Sequence, residues 1–243
     1  MPYSDFSKVY DRLMQGADYP ALCDRYLKLL AMHSHTPRLS LDAACGTGAF
    51  TFELVRRGID VIGVDCSPEM LNIARERLGA DALLLCQRLE DLDLFGTIDT
   101  VFCTLDGLNH ITDKEELIRS LRRIALFLEP SGKFIFDLNT VYKHQTVLGD
   151  NTFVIEDEDI YAVWSNEYCG SGLSRMELDF FVEQEDGRYQ RFSECIEEQA
   201  YEISEFEKML ENSGFKTLGI YDFDNGSDVR QDSEKIIFVA ERI

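Results

Sequence analysis

The run Leu39-Ser-Leu-Asp42-Ala-Ala-Cys-Gly46-Thr-Gly48-Ala-Phe-Thr51 constrains this chain more than any other stretch. An apolar run ends in an acid, two glycines follow with one residue between them, and a helical pattern opens behind them. Val61-Ile-Gly-Val-Asp65-Cys-Ser67-Pro68 repeats the theme, with a second acid at the end of a second apolar run. Together they predict a β-loop-α-β unit with a nucleoside site at the carboxyl edge of a parallel sheet. Glycines let the backbone turn tightly and approach a ligand without a Cβ in the way. Asp65 has the reach and charge to accept hydrogen bonds from both hydroxyls of a ribose.

A dinucleotide fingerprint would carry a third small residue where Thr51 stands, and no acid just before the glycines. Asp42, four residues ahead of Gly46, would repel a pyrophosphate and attract an ammonium or sulfonium group. The expected ligand is therefore a cationic nucleoside. These runs, continued as Gly63-Val-Asp65-Cys-Ser-Pro-Glu-Met70-Leu, resemble the class I S-adenosylmethionine-dependent methyltransferases. The resemblance implies S-adenosyl-L-methionine as cofactor and S-adenosyl-L-homocysteine as product. It also implies a Rossmann-like α/β fold: a seven-stranded, mostly parallel sheet with the last strand antiparallel and helices on both faces. Cofactor-binding positions carried over are Asp42, Ala43, Ala44, Cys45, Gly46 and Gly48 in the first loop, then Asp65, Cys66 and Met70. Met70 is read either as padding for the adenine or as core.

The 45 acids against 24 Lys and Arg leave a formal charge of -21. Such a surface repels phosphate backbones, so a nucleic acid partner is disfavoured and a small-molecule substrate expected. Seven cysteines, at 23, 45, 66, 86, 103, 169 and 195, form no C-x-x-C pair. They read as reduced, buried thiols of a cytoplasmic protein, with no metal site. Asp5, Lys8, Asp11 and Arg12 occupy the place of a signal peptide's apolar core, and no apolar run reaches membrane-spanning length, so no membrane partner is expected. Oligomeric state is not legible.

Along the chain, Tyr3, Phe6, Val9, Tyr10, Leu13 and Met14 follow helical spacing, and Asp18 with Pro20 marks a second helix start. The resemblance places Tyr10 and Tyr19 against the methionine end of the cofactor; as core residues they would fasten two helices to the sheet. Strands are expected at 39–43, 59–64, 82–86, 98–103 and 133–140, with a turn at 129–132. Ser67 with Pro68 starts a helix that Gly79 ends. Capping boxes are expected at Thr112-Asp-Lys-Glu115 and within Ile203-Ser-Glu-Phe-Glu207. The last two strands, 216–223 and 235–241, are expected to pair antiparallel.

After the third strand, the resembled family carries an acid for the adenine amino group, followed by an apolar residue whose N–H meets the ring. This chain has Arg88 and Leu89 there. A guanidinium cannot accept a hydrogen bond, so Arg88 stacks on the purine or points away. The loop Thr104-Leu-Asp106-Gly-Leu-Asn109-His110 falls beside the topological switch point. Thr104 is assigned to the cofactor, and Asp106 and His110 are the candidate catalytic bases; Asp137 and Asn139 border the same cleft. His110 is also readable as a helix-entry residue.

From 151 to 199 the period changes to two: Met176, Leu178, Phe180 and Val182 alternate with mostly polar neighbours, and Asp186-Gly187 is a hairpin turn. This predicts an inserted antiparallel sheet, a substrate lid over 151–199 between the two parts, 1–150 and 200–243, of the cofactor domain. The whole pattern looks like the branch containing sugar-amine N-methyltransferases. Two rivals stay open: a nicotinamide-linked oxidoreductase on the same fold, and a non-catalytic protein that kept the nucleoside site.

Overall fold

The computed structural model describes residues 17–243; the helix expected over 3 to 14, and Tyr10 with it, lies outside the described residues. Helix α1 (Tyr19–Met32) starts where Asp18 accepts a hydrogen bond from the Ala21 N–H at 2.9 Å. Strand β1 (Leu39–Ala43), helix α2 (Ala49–Arg56), strand β2 (Asp60–Asp65) and helix α3 (Pro68–Leu78) form the expected βαβα unit. Ser67 caps α3, its hydroxyl accepting from the Met70 N–H. Strand β3 (Leu83–Cys86), β4 (Ile98–Cys103), helix α4 (Lys114–Phe127) and β5 (Leu128–Asn139) follow.

The seven strands of this sheet run in the order β10-β11-β5-β4-β1-β2-β3. Strands β1 to β5 are parallel neighbours, whereas β11 (Lys235–Arg242) lies antiparallel between β5 and β10 (Phe215–Asp222). The chain runs from β1 out to β3 and crosses back to β4 on the other side of β1, so the switch point lies between β1 and β4.

Alternation along the central strands fills both faces. Phe134, Phe136 and Leu138 bury one way, with Phe238, α4 and helix α5 (Ile203–Glu211). Ile135 buries the other way, with Ile237, Phe102, α1 and α2. Phe136 and Phe238 stack at 5.1 Å.

A second, four-stranded antiparallel sheet consists of β6 (Thr152–Asp157), β7 (Ile160–Gly170), β8 (Leu173–Glu183) and β9 (Tyr189–Gln199). Its inward residues Met176, Leu178 and Phe180 cluster with Met70 of α3 and Leu148, so the second sheet packs onto the loop edge of the first. Leu148 belongs to a π-helical segment, Lys143–Leu148, that no local signal announced.

Three local expectations need correcting. The cap of α4 is Asp113, not Thr112, because its carboxylate reaches two N–H groups, those of Glu115 and Glu116, at 2.8 and 2.9 Å. Helix α5 starts at Ile203 behind Glu202 with no side-chain cap; Ile203 is drawn inward against the core, which leaves Ser204 inside the first turn. The turn at 129–132 is absorbed into β5 as a bulge, since Ile98 and Thr100 pair with Leu128 and Lys133.

Candidate functional site

The carboxyl ends of β1 to β4 surround a cavity of about 510 Å³, walled on one side by Cys195, Ile196 and Glu197 of β9. Of the residues singled out from sequence, Tyr19, Ala44, Cys45, Gly46, Asp65, Cys66, Met70, Arg88, Leu89, Thr104 and His110 line it. Ala43, Gly48, Asp42 and Asp106 do not, and neither do Asp137 and Asn139, which are buried rather than bordering the cleft as expected.

The first loop is shaped by backbone. Ala44 and Gly46 both take left-handed conformations, with φ of 57° and 54°. Gly48 serves a different purpose from the expected ligand approach. At φ 74° it caps α2, and a Cβ there would stand 3.0 Å from the Ala74 Cβ and the Leu78 Cδ1. Its missing side chain lets α2 pack closely on α3.

Asp65 organises the two loops. Its Oδ2 accepts the Gly46 N–H and its Oδ1 the Ser67 N–H, each at 2.8 Å. Burial raises its pKa, and these two backbone N–H groups pull against that rise. Each oxygen keeps a lone pair for a further donor such as a ribose hydroxyl.

Asp42 sits behind the cavity wall, 1% exposed. Its Oδ2 accepts the Thr51 hydroxyl at 2.5 Å, and its Oδ1 has no partner among the described residues. Burial pushes the carboxyl up to about 7, with Asp65 adding to the rise and Thr51 opposing it. A buried, unsatisfied carboxylate oxygen is costly, and it fits a site completed by a cationic group.

Asp106, expected to face the substrate, turns away. Its Oδ1 meets the Lys235 Nζ at 3.1 Å and its Oδ2 accepts from the Asn139 Nδ2 at 2.7 Å. Burial works against its ionisation, but Lys235 and Lys143 outweigh it and hold the carboxyl well below its usual range. Beside it, the buried Asp137 accepts the N–H groups of Leu105 and Asp106 at 2.7 Å each and the Tyr26 hydroxyl at 2.5 Å. Leu105 and Asp106 are both left-handed, with φ of 55° and 59°, so Asp137 holds a strained turn at the tip of β4.

Sequence reasoning missed the groups that come from the second sheet and the π-helix. Glu198 of β9, buried, stands 3.8 Å from the His110 Nε2, 3.2 Å from the His144 Nε2 and 2.8 Å from the Asn139 Nδ2. It also missed Glu90 and Glu116, both on the cavity wall. An acid two residues beyond Arg88 was the one local signal available for Glu90.

The cavity suits a nucleoside bearing an amino-acid tail in size, and the acid pair suits its ribose and charge. Among the described residues no group of His, Cys, Asp or Glu could hold a metal ion, and no helix is long and apolar enough to cross a membrane. Residues 41–132 match the family model for a methyltransferase domain. A putative methyltransferase of Bacillus subtilis, YqeM, is 31% identical over 246 residues, covering 100% of this chain and 98% of the relative. The dTDP-3-amino-3,4,6-trideoxy-alpha-D-glucopyranose N,N-dimethyltransferase of Streptomyces venezuelae is 27% identical over 219 residues, 87% of this chain and 90% of that one. The crystal structure of an S-adenosylmethionine-dependent methyltransferase from Clostridium acetobutylicum superposes with a TM-score of 0.88 at 31% identity, covering 99% of this chain and 98% of that one. With the acid-tipped strands and their glycine turn in place, and similarity running from end to end, the chain belongs to the S-adenosylmethionine-dependent methyltransferases.

Proposed function

We propose that this enzyme methylates the nitrogen of a small-molecule amine and that His110 receives the proton the amine loses. The cofactor supplies a methyl group on a sulfonium, already activated for attack. In this reading Asp42 attracts the ammonium of the methionine end through its charge from behind the cavity wall, and Asp65 accepts from the ribose hydroxyls. The cavity walls, with β9 as part of a lid over 151–199, align the amine nitrogen behind the methyl carbon and exclude water. The imidazole of His110 would take the departing N–H proton as the methyl carbon passes from sulfur to the amine nitrogen.

The observation that carries the choice is that His110 lines the cavity, whereas Asp106 is committed to Lys235 and Asn139. The likeness to a sugar-amine dimethyltransferase supports an amine acceptor. Seven free thiols support a reducing cytoplasm as the place of work, although Cys66, Cys86, Cys169 and Cys195 are exposed rather than buried as expected.

The test incubates the protein with methyl-labelled cofactor and a panel of amino-sugar nucleotides and small amines. Label in a small amine is expected, and His110→Ala should lower turnover by about 100-fold or more with S-adenosylhomocysteine affinity unchanged. Label confined to macromolecules, or an unimpaired His110→Ala enzyme, would overturn the reading.

A further inference from the structure

The base end of the cavity is where this chain departs most from the resembled family. If Asp65 takes the ribose and the amino-acid end lies toward Asp42 on β1, the purine lies toward the tip of β3, against Gln87, Arg88, Leu89 and Glu90. Adenine offers an amino donor beside a ring-nitrogen acceptor on one edge, so it calls for an acceptor next to a donor. Arg88 supplies no acceptor. Gln87 is spent on its own turn: its Oε1 accepts the Asp93 N–H and its Nε2 donates to the Asp93 carbonyl, at 2.9 and 3.2 Å. Two carboxylates remain at this end, Glu90 and Glu116.

Glu90 is the better placed. Its side chain is 6% exposed against 36% for Glu116, which also shares its charge with Arg119. Glu90 sits in the 3-10 turn Leu89–Asp91 that follows β3 on the cavity wall. Arg88 folds back so that its Nε binds the Glu90 Oε1, and its other arm reaches Glu116 at 3.1 Å. The carboxylate is thereby fixed, with the Glu90 Oε2 outside that ion pair. The turn closes with the Asp91 and Leu92 N–H groups, and the N–H groups ahead of them, Leu89 first, are not used by the turn.

We propose that Glu90 replaces the acid absent from position 88: its carboxylate accepts the adenine amino group, the Leu89 N–H meets the adjacent ring nitrogen, and Arg88 acts as a positioning residue that holds Glu90. The assignment rests on the cofactor reading of the site. It makes the pocket selective for adenine over hypoxanthine, whose oxo group would face a carboxylate and whose ring N–H would face an N–H.

Calorimetric titration of S-adenosyl-L-homocysteine and S-inosyl-L-homocysteine into the wild type and four variants tests this. The wild type should prefer the adenosyl compound by about 100-fold or more. Glu90→Gln, whose amide can donate as well as accept, should bring the ratio within about tenfold. Glu90→Asp draws the carboxylate back and should lower the preference less. Arg88→Met should keep the preference while weakening adenosyl binding by about three- to tenfold. A wild-type ratio in both Glu90 variants, or a collapse of the ratio in Glu116→Gln instead, overturns the proposal. A wild-type protein that binds neither compound would remove the cofactor assignment itself, an outcome distinct from binding without discrimination.

Discussion

At the tip of β1, burial brings the Asp42 carboxyl up to about 7 from 3.8, so near neutral pH the group divides between two protonation states. Its folded value lies above its unfolded one, so the folded chain holds the extra proton between these values. Its contribution to stability is full below about pH 4 and falls as pH rises through 7, by at most about 1.4 kcal/mol per pH unit. Asp42→Asn should flatten that slope in denaturant unfolding measured across this range. A cation brought against Asp42 favours the ionised form, so S-adenosylhomocysteine affinity should rise between about pH 6 and pH 8 in the wild type and less in Asp42→Asn. Asp137 carries a heavier structural duty, because it holds two N–H groups and one hydroxyl. Asp137→Ala should cost about 3–5 kcal/mol and Tyr26→Phe about 2 kcal/mol, both read from urea midpoints. Position 137 could be placed at a strand tip from sequence, but its three donors come from α1 and the β4 loop, so its role could not be.

Helix starts separate what is local from what is not. The Ser67-Pro68 start of α3 and the Asp18 start of α1 are encoded within three residues and were legible as such. At α4 the Thr112 box and the Asp113 cap compete one residue apart, and the longer reach of the aspartate settles it. Asp113→Ala should therefore lower stability by about 1 kcal/mol, and Thr112→Ala should be close to neutral. The Gly48 position belongs to the same scale. Gly48→Ala combines a left-handed backbone with a Cβ 3.0 Å from Ala74 and should cost about 1–3 kcal/mol, read from the thermal midpoint.

Across the whole molecule, a formal charge of -21 works against compaction, and salt should relieve it. Raising ionic strength from about 0.01 M to about 0.15 M shortens the Debye length from about 30 Å to about 8 Å, so the thermal midpoint should rise over that range. The amino-acid sequence by itself determined the β1-α2-β2-α3 unit, its glycine turn, its two acids and the period-two stretch after residue 150. Each of these is a pattern over a few neighbouring residues, set by backbone sterics and burial periodicity. Only the tertiary structure decided that Asp106 faces Lys235, 129 residues away, and that Glu198 meets Asn139, 59 residues away. The same holds for the wall that β9 lends to the cavity. Those contacts depend on strand order, register and the docking of one sheet on another, and a local pattern carries no information about which distant charge will lie opposite.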